Sequence, residues 1–457
     1  MSALDAIVVG SGPNGLAAAV ALAQAGRTVR VLEAADEIGG GTRTAELTLP
    51  GFRHDVCSAV HPMGVLSPFL KTLPLADHGL AWCEAEASVA HPLADGRTAL
   101  LTQSPDETGA TLGADAAAWH KLVAPFLRDP DALMADLLGP PRLLPSRPLT
   151  MARFGWIGLR SAASVARRFE GDLARGLFAG LAGHSILPLD MKLSGAVGLV
   201  FAVTAHIKPW PCARGGSHAI TKALASLLQS LGGEIETGRR VVSLADLPES
   251  RAVLFDLGPK QVLSIAGDAL PARYRKALAR YRYGPGAFKV DWALREPIPW
   301  RAAVCARAST VHVGGTFEEV AASERAMWDG GVSETPFLLL CQQSMMDPTR
   351  APPGQHTGYA YCHVPSGCTV DMTERIEAQV ERFAPGFRDC ILARHATAPA
   401  DFERGNECYV GGAITGGVAN VRQFLARPAL RWLEDKLNCD LGIRAVRRVR
   451  INGTRWP

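Results

Sequence analysis

The segment Ala6-Ile-Val-Val-Gly10-Ser-Gly12-Pro-Asn-Gly15 constrains this chain more than any other. Its apolar run predicts a buried strand, its glycines a tight turn, and the residues after it an amphipathic helix leading to a second strand over Thr28 to Leu32. The glycines have separate roles: Gly10 permits the strand-to-helix turn, Gly12 lets backbone approach a pyrophosphate, and Gly15 allows close packing of helix on strand. The helix N-terminus presents N–H groups and a partial positive charge to phosphate oxygens. Glu33 stands 18 residues after Gly15, at the end of the second strand, where a carboxylate accepts hydrogen bonds from ribose hydroxyls. Strands, turn, helix and terminal acid agree on a βαβ dinucleotide site, which an isolated glycine motif would not establish.

A second glycine cluster follows at once, in Glu33-Ala-Ala-Asp-Glu-Ile-Gly39-Gly40-Gly41-Thr42-Arg43-Thr44. A plain nicotinamide dehydrogenase has no use for glycines there. The segment resembles the E-x(5)-G-G-[RA]-x-x-[ST] coil of flavoproteins with two dinucleotide-binding domains. Together with Gly51-Phe-Arg-His-Asp55, His61-Pro62, Ala213-Arg-Gly215-Gly216-Ser217, Gly232-Gly-Glu-Ile-Glu-Thr237 and Tyr409-Val-Gly411-Gly412, it makes the chain similar to the phytoene dehydrogenase-like (carotenoid desaturase and isomerase-like) flavoproteins over roughly residues 4–430.

That resemblance implies an α/β fold: a Rossmann-like FAD-binding domain interleaved with an α+β substrate domain. It implies FAD as cofactor, contacted by Gly10, Ser11, Gly12, Pro13, Asn14, Gly15, Glu33, Ala34, Gly39, Gly40, Gly41, Thr42 and Val241. It further implies hydride transfer between an apolar organic substrate, isoprenoids being one class, and flavin N5. Such chemistry needs no dedicated acid or base, and no catalytic residue and no metal are assigned. A non-catalytic flavoprotein and a nicotinamide-only dehydrogenase are the competing readings, and Gly39 to Gly41 argue against the second.

The chain departs from the family pattern twice. Gly41 stands where relatives carry Arg or Ala. After Arg422-Gln-Phe-Leu-Ala-Arg427-Pro428 the family's glycine-rich flavin loop is missing, so residues 401–457 are expected to leave the FAD domain incompletely closed, with a peripheral tail. Residues 431–457 hold seven basic against three acidic side chains, a surplus equal to the whole net charge of +4. The neutral body argues against nucleic-acid partners. Arg447-Arg448-Val449-Arg450 suits phosphate or a peripheral membrane contact, with a solvated extension the preferred reading. The expected location is cytoplasmic, because the dinucleotide motif begins too near Met1 to leave room for a signal peptide.

The remaining segmentation follows composition and periodicity. Residues 1–75 supply the first FAD segment, 76–210 a mostly helical insertion, 211–265 the second FAD segment, and 266–400 the sheet and helices of the substrate domain. Helices are expected over Asp106–Leu122, Pro130–Leu138, Arg160–Ala182 and Leu193–His206, with Ser217 as N-cap of a helix carrying Ile220, Leu224, Leu227, Leu228 and Leu231. Strands are expected over Glu234–Val242, Ala252–Asp256, Val311–Gly314, Phe337–Gln342 and His356–His363. Phe288–Leu294 reads as a half-buried strand with a solvated Lys289–Asp291 pair. Asp371 and Glu374 are expected to cap a helix burying Ile376, Val380 and Phe383. The ten cysteines include no C-x-x-C pair and read as reduced thiols. His61 reads as a structural histidine, Asp55 as a cap or a cofactor contact, and His184, His206 and His363 are given no role.

Overall fold

A computed structural model describes residues 4–139, 144–421, 423 and 448–451. In chain order its strands are β1 (Leu4–Val9), β2 (Val29–Leu32), β3 (Thr44–Ala45), β4 (His54–Asp55), β5 (Trp82–Cys83), β6 (Ala87–Pro92), β7 (Thr98–Thr102) and β8 (Cys212–Ala213). They continue with β9 (Glu234–Glu236), β10 (Ser250–Phe255), β11 (Gly286–Leu294), β12 (Ala308–Val313), β13 (Leu338–Cys341), β14 (His356–Val364), β15 (Ile391–Thr397) and β16 (Arg448–Ile451).

Two sheets organise the molecule. The first has the order β16-β10-β1-β2-β9, and every pair in it is parallel. Its centre, Ile7-Val-Val9, is an apolar run because helices cover a parallel sheet on both faces. On one face pack helix Pro13–Gln24 and helix His218–Ser230, whose Ile220, Leu224, Leu227 and Leu228 meet Leu16 and Val20. Leu231 lies beyond that helix end and is exposed, so it leaves the expected stripe. The second sheet has the order β15-β11-β14-β13-β12-β6-β7 and is antiparallel apart from the β12–β6 pair. In β13, Leu338 and Leu340 face a core with Ile376, Val380 and Trp292, while Leu339 faces the helical layer of Leu177, Phe178 and Leu199. This is the period-2 alternation of a sheet covered on both sides.

Several expectations change. The stretch read as helical from residue 76 opens with β5, β6 and β7, and two of these belong to the large sheet. Asp106–Leu122 divides at Gly113 into Pro105–Leu112 and Ala116–Val123. Arg160–Ala182 divides into Ala162–Ala166 and Asp172–Gly183. β9 stops at Glu236, and the chain turns through Gly238 at φ +66° rather than extending to Val242. Helix Thr373–Phe383 buries Ile376, Val380 and Phe383 as expected, but Met372 holds the N-cap position without a side-chain cap, and Asp371 bonds the N–H and side chain of Thr373 instead. All nine residues of β11 are buried, not half of them.

The tail reading is corrected where the structure describes it. Arg448–Ile451 runs parallel to β10, pairing Val449 with Val253 and Ile451 with Phe255, and so continues the dinucleotide sheet instead of extending into solvent. The physical reason is the exposed edge: without it the N–H and C=O groups along β10 lack a second neighbour. The segment Arg422 to Pro428, apart from Gln423, lies outside the described residues. Among the described residues no helix is long and apolar enough to cross a membrane.

Candidate functional site

The two glycine segments, distant in sequence, meet over the end of β1. Gly10 turns at φ +103°, outside the range of ordinary side chains, and its N–H donates to Leu32 O at 2.8 Å. Gly12 stands at the N-cap of helix Pro13–Gln24 and has no side chain of its own to cap the first turn. Gly40 lies directly against it: a Cβ built on Gly40 would stand 3.1 Å from Gly12 Cα. Gly39 N–H donates to Ser11 O at 3.1 Å, and Thr42 Oγ1 donates to Gly39 O at 2.7 Å. Glu33 closes the group by accepting from Ser11 N–H at 2.9 Å, Ser11 Oγ at 2.5 Å and Ala35 N–H at 2.9 Å. Asn14 and Ala34 are exposed, whereas Val241 is buried among Ile7, Val9, Leu32 and Phe255. Gly41 has its own constraint, since a Cβ there would land on the Tyr409 hydroxyl. That contact gives a physical reason for glycine where relatives carry Arg or Ala.

Asp256, absent from the sequence-based site, stands at the C-terminal end of β10. Its carboxylate accepts from Gly15 N–H at 2.9 Å. Burial pushes its pKa up to about 6, against the lowering effect of the Gly15 and Gly12 N–H groups. A carboxylate therefore faces the anion-binding end of the glycine-turn helix.

Beneath the glycine coil lies a buried ionic network. Asp55 accepts from Ser217 N–H at 2.6 Å, Thr44 Oγ1 at 2.8 Å and Arg350 at 2.7 Å, so it is a structural hub. Arg350 also reaches Asp347 at 2.8 Å and Ala213 O at 3.1 Å. Lys289 Nζ donates to both Asp291 oxygens at 2.6 Å and to Asp55 O at 2.8 Å. It also lies 4.3 Å from the Tyr359 ring centre. The Lys289–Asp291 pair exists on one strand face as expected, but that face is covered, not solvated. Alternation identifies residues that share a face; it does not say what packs on it.

A cavity of about 250 Å³ adjoins this network, lined by Cys57, His61, His184, Trp210, Lys289 and Tyr361 among others. Ser217 stands at the N-cap position of its helix as expected, but its side chain makes no capping hydrogen bond. Its hydroxyl donates to Ser58 O at 2.6 Å and therefore accepts from His61 Nε2 at 2.7 Å. Burial lowers the His61 pKa to about 4, so the ring is neutral. His184, left without a role in the sequence, lies 3.0 Å through Nε2 from His312 Nε2. No local spacing relates residues 184 and 312, so sequence offered no signal for that pair.

Comparisons with known proteins agree with this architecture. Residues 8–73 match the NAD(P)-binding Rossmann-like domain. The chain is 26% identical to the mouse (Mus musculus) pyridine nucleotide-disulfide oxidoreductase domain-containing protein 2, over 93% of this chain and 86% of that protein. It is 27% identical to a phytoene dehydrogenase of Streptomyces griseus, over 85% of this chain and 77% of that protein. Among solved structures, an oxidoreductase from Methanosarcina mazei superposes with a TM-score of 0.61 at 18% identity, covering 86% of this chain and 87% of that one. That likeness concerns the fold.

Proposed function

We propose that this chain, which belongs with the phytoene dehydrogenase-like oxidoreductases, binds FAD and oxidises or isomerises a small, largely apolar organic substrate. One observation carries the reading: Gly39–Thr42 folds onto Gly10–Gly15 so closely that a Cβ on Gly40 would touch Gly12. Such a cradle suits an extended dinucleotide whose pyrophosphate meets backbone rather than side chains. A nicotinamide-only site has no need of the second glycine segment.

Bound FAD would supply two-electron redox chemistry through its flavin. The chain's own residues do the rest. The turn from Gly12 to Gly15 would meet the pyrophosphate at the N-terminus of its helix, where Asp256 also engages the Gly15 N–H, and Glu33 holds Ser11 and Ala35 so that its carboxylate faces the ribose position. The buried Asp55–Arg350–Asp347 network ties the coil to the substrate sheet and fixes where the cavity lies. The walls of the cavity are mainly aromatic and aliphatic, which suits an apolar substrate.

The absorbance spectrum of the purified protein tests the reading, since oxidised flavin has visible bands that nicotinamide lacks. FAD affinity should fall about 5- to 150-fold in Glu33→Ala, the effect of unpairing buried hydroxyls at about 1–3 kcal/mol. Gly12→Val should lose the cofactor altogether, because its side chain also collides with the Asp256 carboxylate, 2.6 Å from a Cβ built at residue 12. Protein that binds no flavin on reconstitution with FAD, or a Gly12→Val variant with full cofactor, would overturn the assignment.

A further inference from the structure

We infer that His184 is a specificity-determining residue: its Nδ1–H donates a hydrogen bond to an acceptor on the substrate, so the cavity selects a small amphipathic molecule carrying a ketone-like oxygen. The inference rests on the reading of this cavity as the substrate site.

Size comes first. A cavity of 150 Å³ holds benzene, so one of about 250 Å³ holds about ten non-hydrogen atoms.

The second argument counts donors. Most polar groups lining the cavity are already engaged within the protein. Lys289 is held by Asp291 and Asp55 O, His61 by Ser217, and the Tyr359 hydroxyl accepts from Ala59 N–H at 3.2 Å. The Cys57 thiol pairs with the Tyr409 hydroxyl. Among the described residues that line the cavity, Trp210 Nε1 also lacks a partner but is wholly buried, which leaves His184 Nδ1 and the Tyr361 hydroxyl without a hydrogen-bond partner.

The tautomer follows from the neighbour. Burial keeps His184 neutral, with its pKa lowered to about 3, and holds His312 well below its ordinary value as well. Two neutral rings 3.0 Å apart through Nε2 share one proton there. His312 Nδ1 is buried without a partner. A proton on that atom would be an orphaned buried N–H, which folded proteins avoid more strongly than a bare acceptor. His312 therefore carries its proton on Nε2 and donates it to His184. His184 must then carry its own proton on Nδ1, the atom left without a protein partner. The ring is also fixed in place, with Phe201 at 4.4 Å and Trp210 at 5.8 Å between centroids. A donor held this way is oriented before the ligand arrives.

Matched probes test the assignment: acetophenone against α-methylstyrene and cyclohexanone against methylenecyclohexane, each pair exchanging C=O for C=CH2. Binding to the cofactor-loaded protein is measured by calorimetric titration. In His184→Phe the ketone-to-alkene affinity ratio should fall about 3- to 10-fold, the effect of one hydrogen bond, with alkene affinity nearly unchanged. His184→Gln, which retains a donor, should recover part of the ratio. Independently, long-range ¹⁵N–¹H spectra of histidine-labelled wild type should show His184 protonated on Nδ1 and His312 on Nε2. An unchanged ratio in His184→Phe, no ketone binding by wild type, or His184 protonated on Nε2 would each overturn the inference. Absence of flavin from the protein would instead sink the cofactor reading while leaving the tautomers, and the binding ratio of the protein as purified, measurable.

Discussion

Replacing Gly41 by alanine gives the most direct test of why this chain departs from its relatives in the cofactor coil. A Cβ at residue 41 lands on the Tyr409 hydroxyl oxygen, while the next nearest atom, Tyr409 Cζ, lies at 3.4 Å, an ordinary van der Waals contact. The clash therefore belongs to one oxygen atom. Overfilling a packed site by a methyl group costs about 1–3 kcal/mol, so Gly41→Ala should destabilise the protein by that amount. Tyr409→Phe removes the hydroxyl and its hydrogen bond with Cys57, a loss of about 0.5–1.5 kcal/mol. In the double variant the methyl group finds the space left by the oxygen, so the two effects should fall short of additivity by about 1–2 kcal/mol. Urea unfolding of the four proteins at equal FAD concentration measures the coupling, and FAD titration reports whether the coil has shifted. Strict additivity, or a neutral Gly41→Ala in the wild-type background, would refute the steric explanation for glycine at this position.

Other outcomes follow from the same structure. Asp256, with its pKa raised to about 6 by burial, shares the glycine-turn N–H groups with an incoming pyrophosphate. FAD affinity should therefore rise as pH falls through about 6, and Asp256→Asn should raise affinity about tenfold at pH 8 while flattening the profile, roughly one pK unit's worth of interaction; fluorescence titration showing the opposite slope would be incompatible with this arrangement. Lys289→Met leaves the buried Asp291 carboxylate without its cation and should cost about 3–5 kcal/mol by chemical denaturation, whereas Lys289→Met with Asp291→Leu should regain much of it. Burial depresses the folded pKa of His61 and His91 to about 4 and of His54 and His184 to about 3. Their neutral forms support folding above the unfolded value of 6.5, and that support should be lost progressively as pH falls from 6.5 towards 3–4. A urea midpoint that stays level over that window would count against neutral buried rings.

The sequence by itself determined the cofactor half of this molecule. Gly10, Gly12, Gly15 and Glu33 are separated by a strand, a turn and a helix, and those elements follow from local periodicity and backbone sterics alone. β14 and helix Pro130–Leu138 were legible for the same reason. Even β16 left a signal, since Arg448-Val-Arg-Ile alternates with period two, although its charge pointed to solvent. Other features came only from the tertiary structure. Asp256 reaches Gly15 across 241 residues, and His184 meets His312 across 128. Lys289 and Asp291 share a face by simple alternation, but the layers packed on β11 decided that this face is dry. Side-chain period is a property of neighbouring residues. Burial, and with it protonation state and donor availability, depends on what the rest of the chain brings against them.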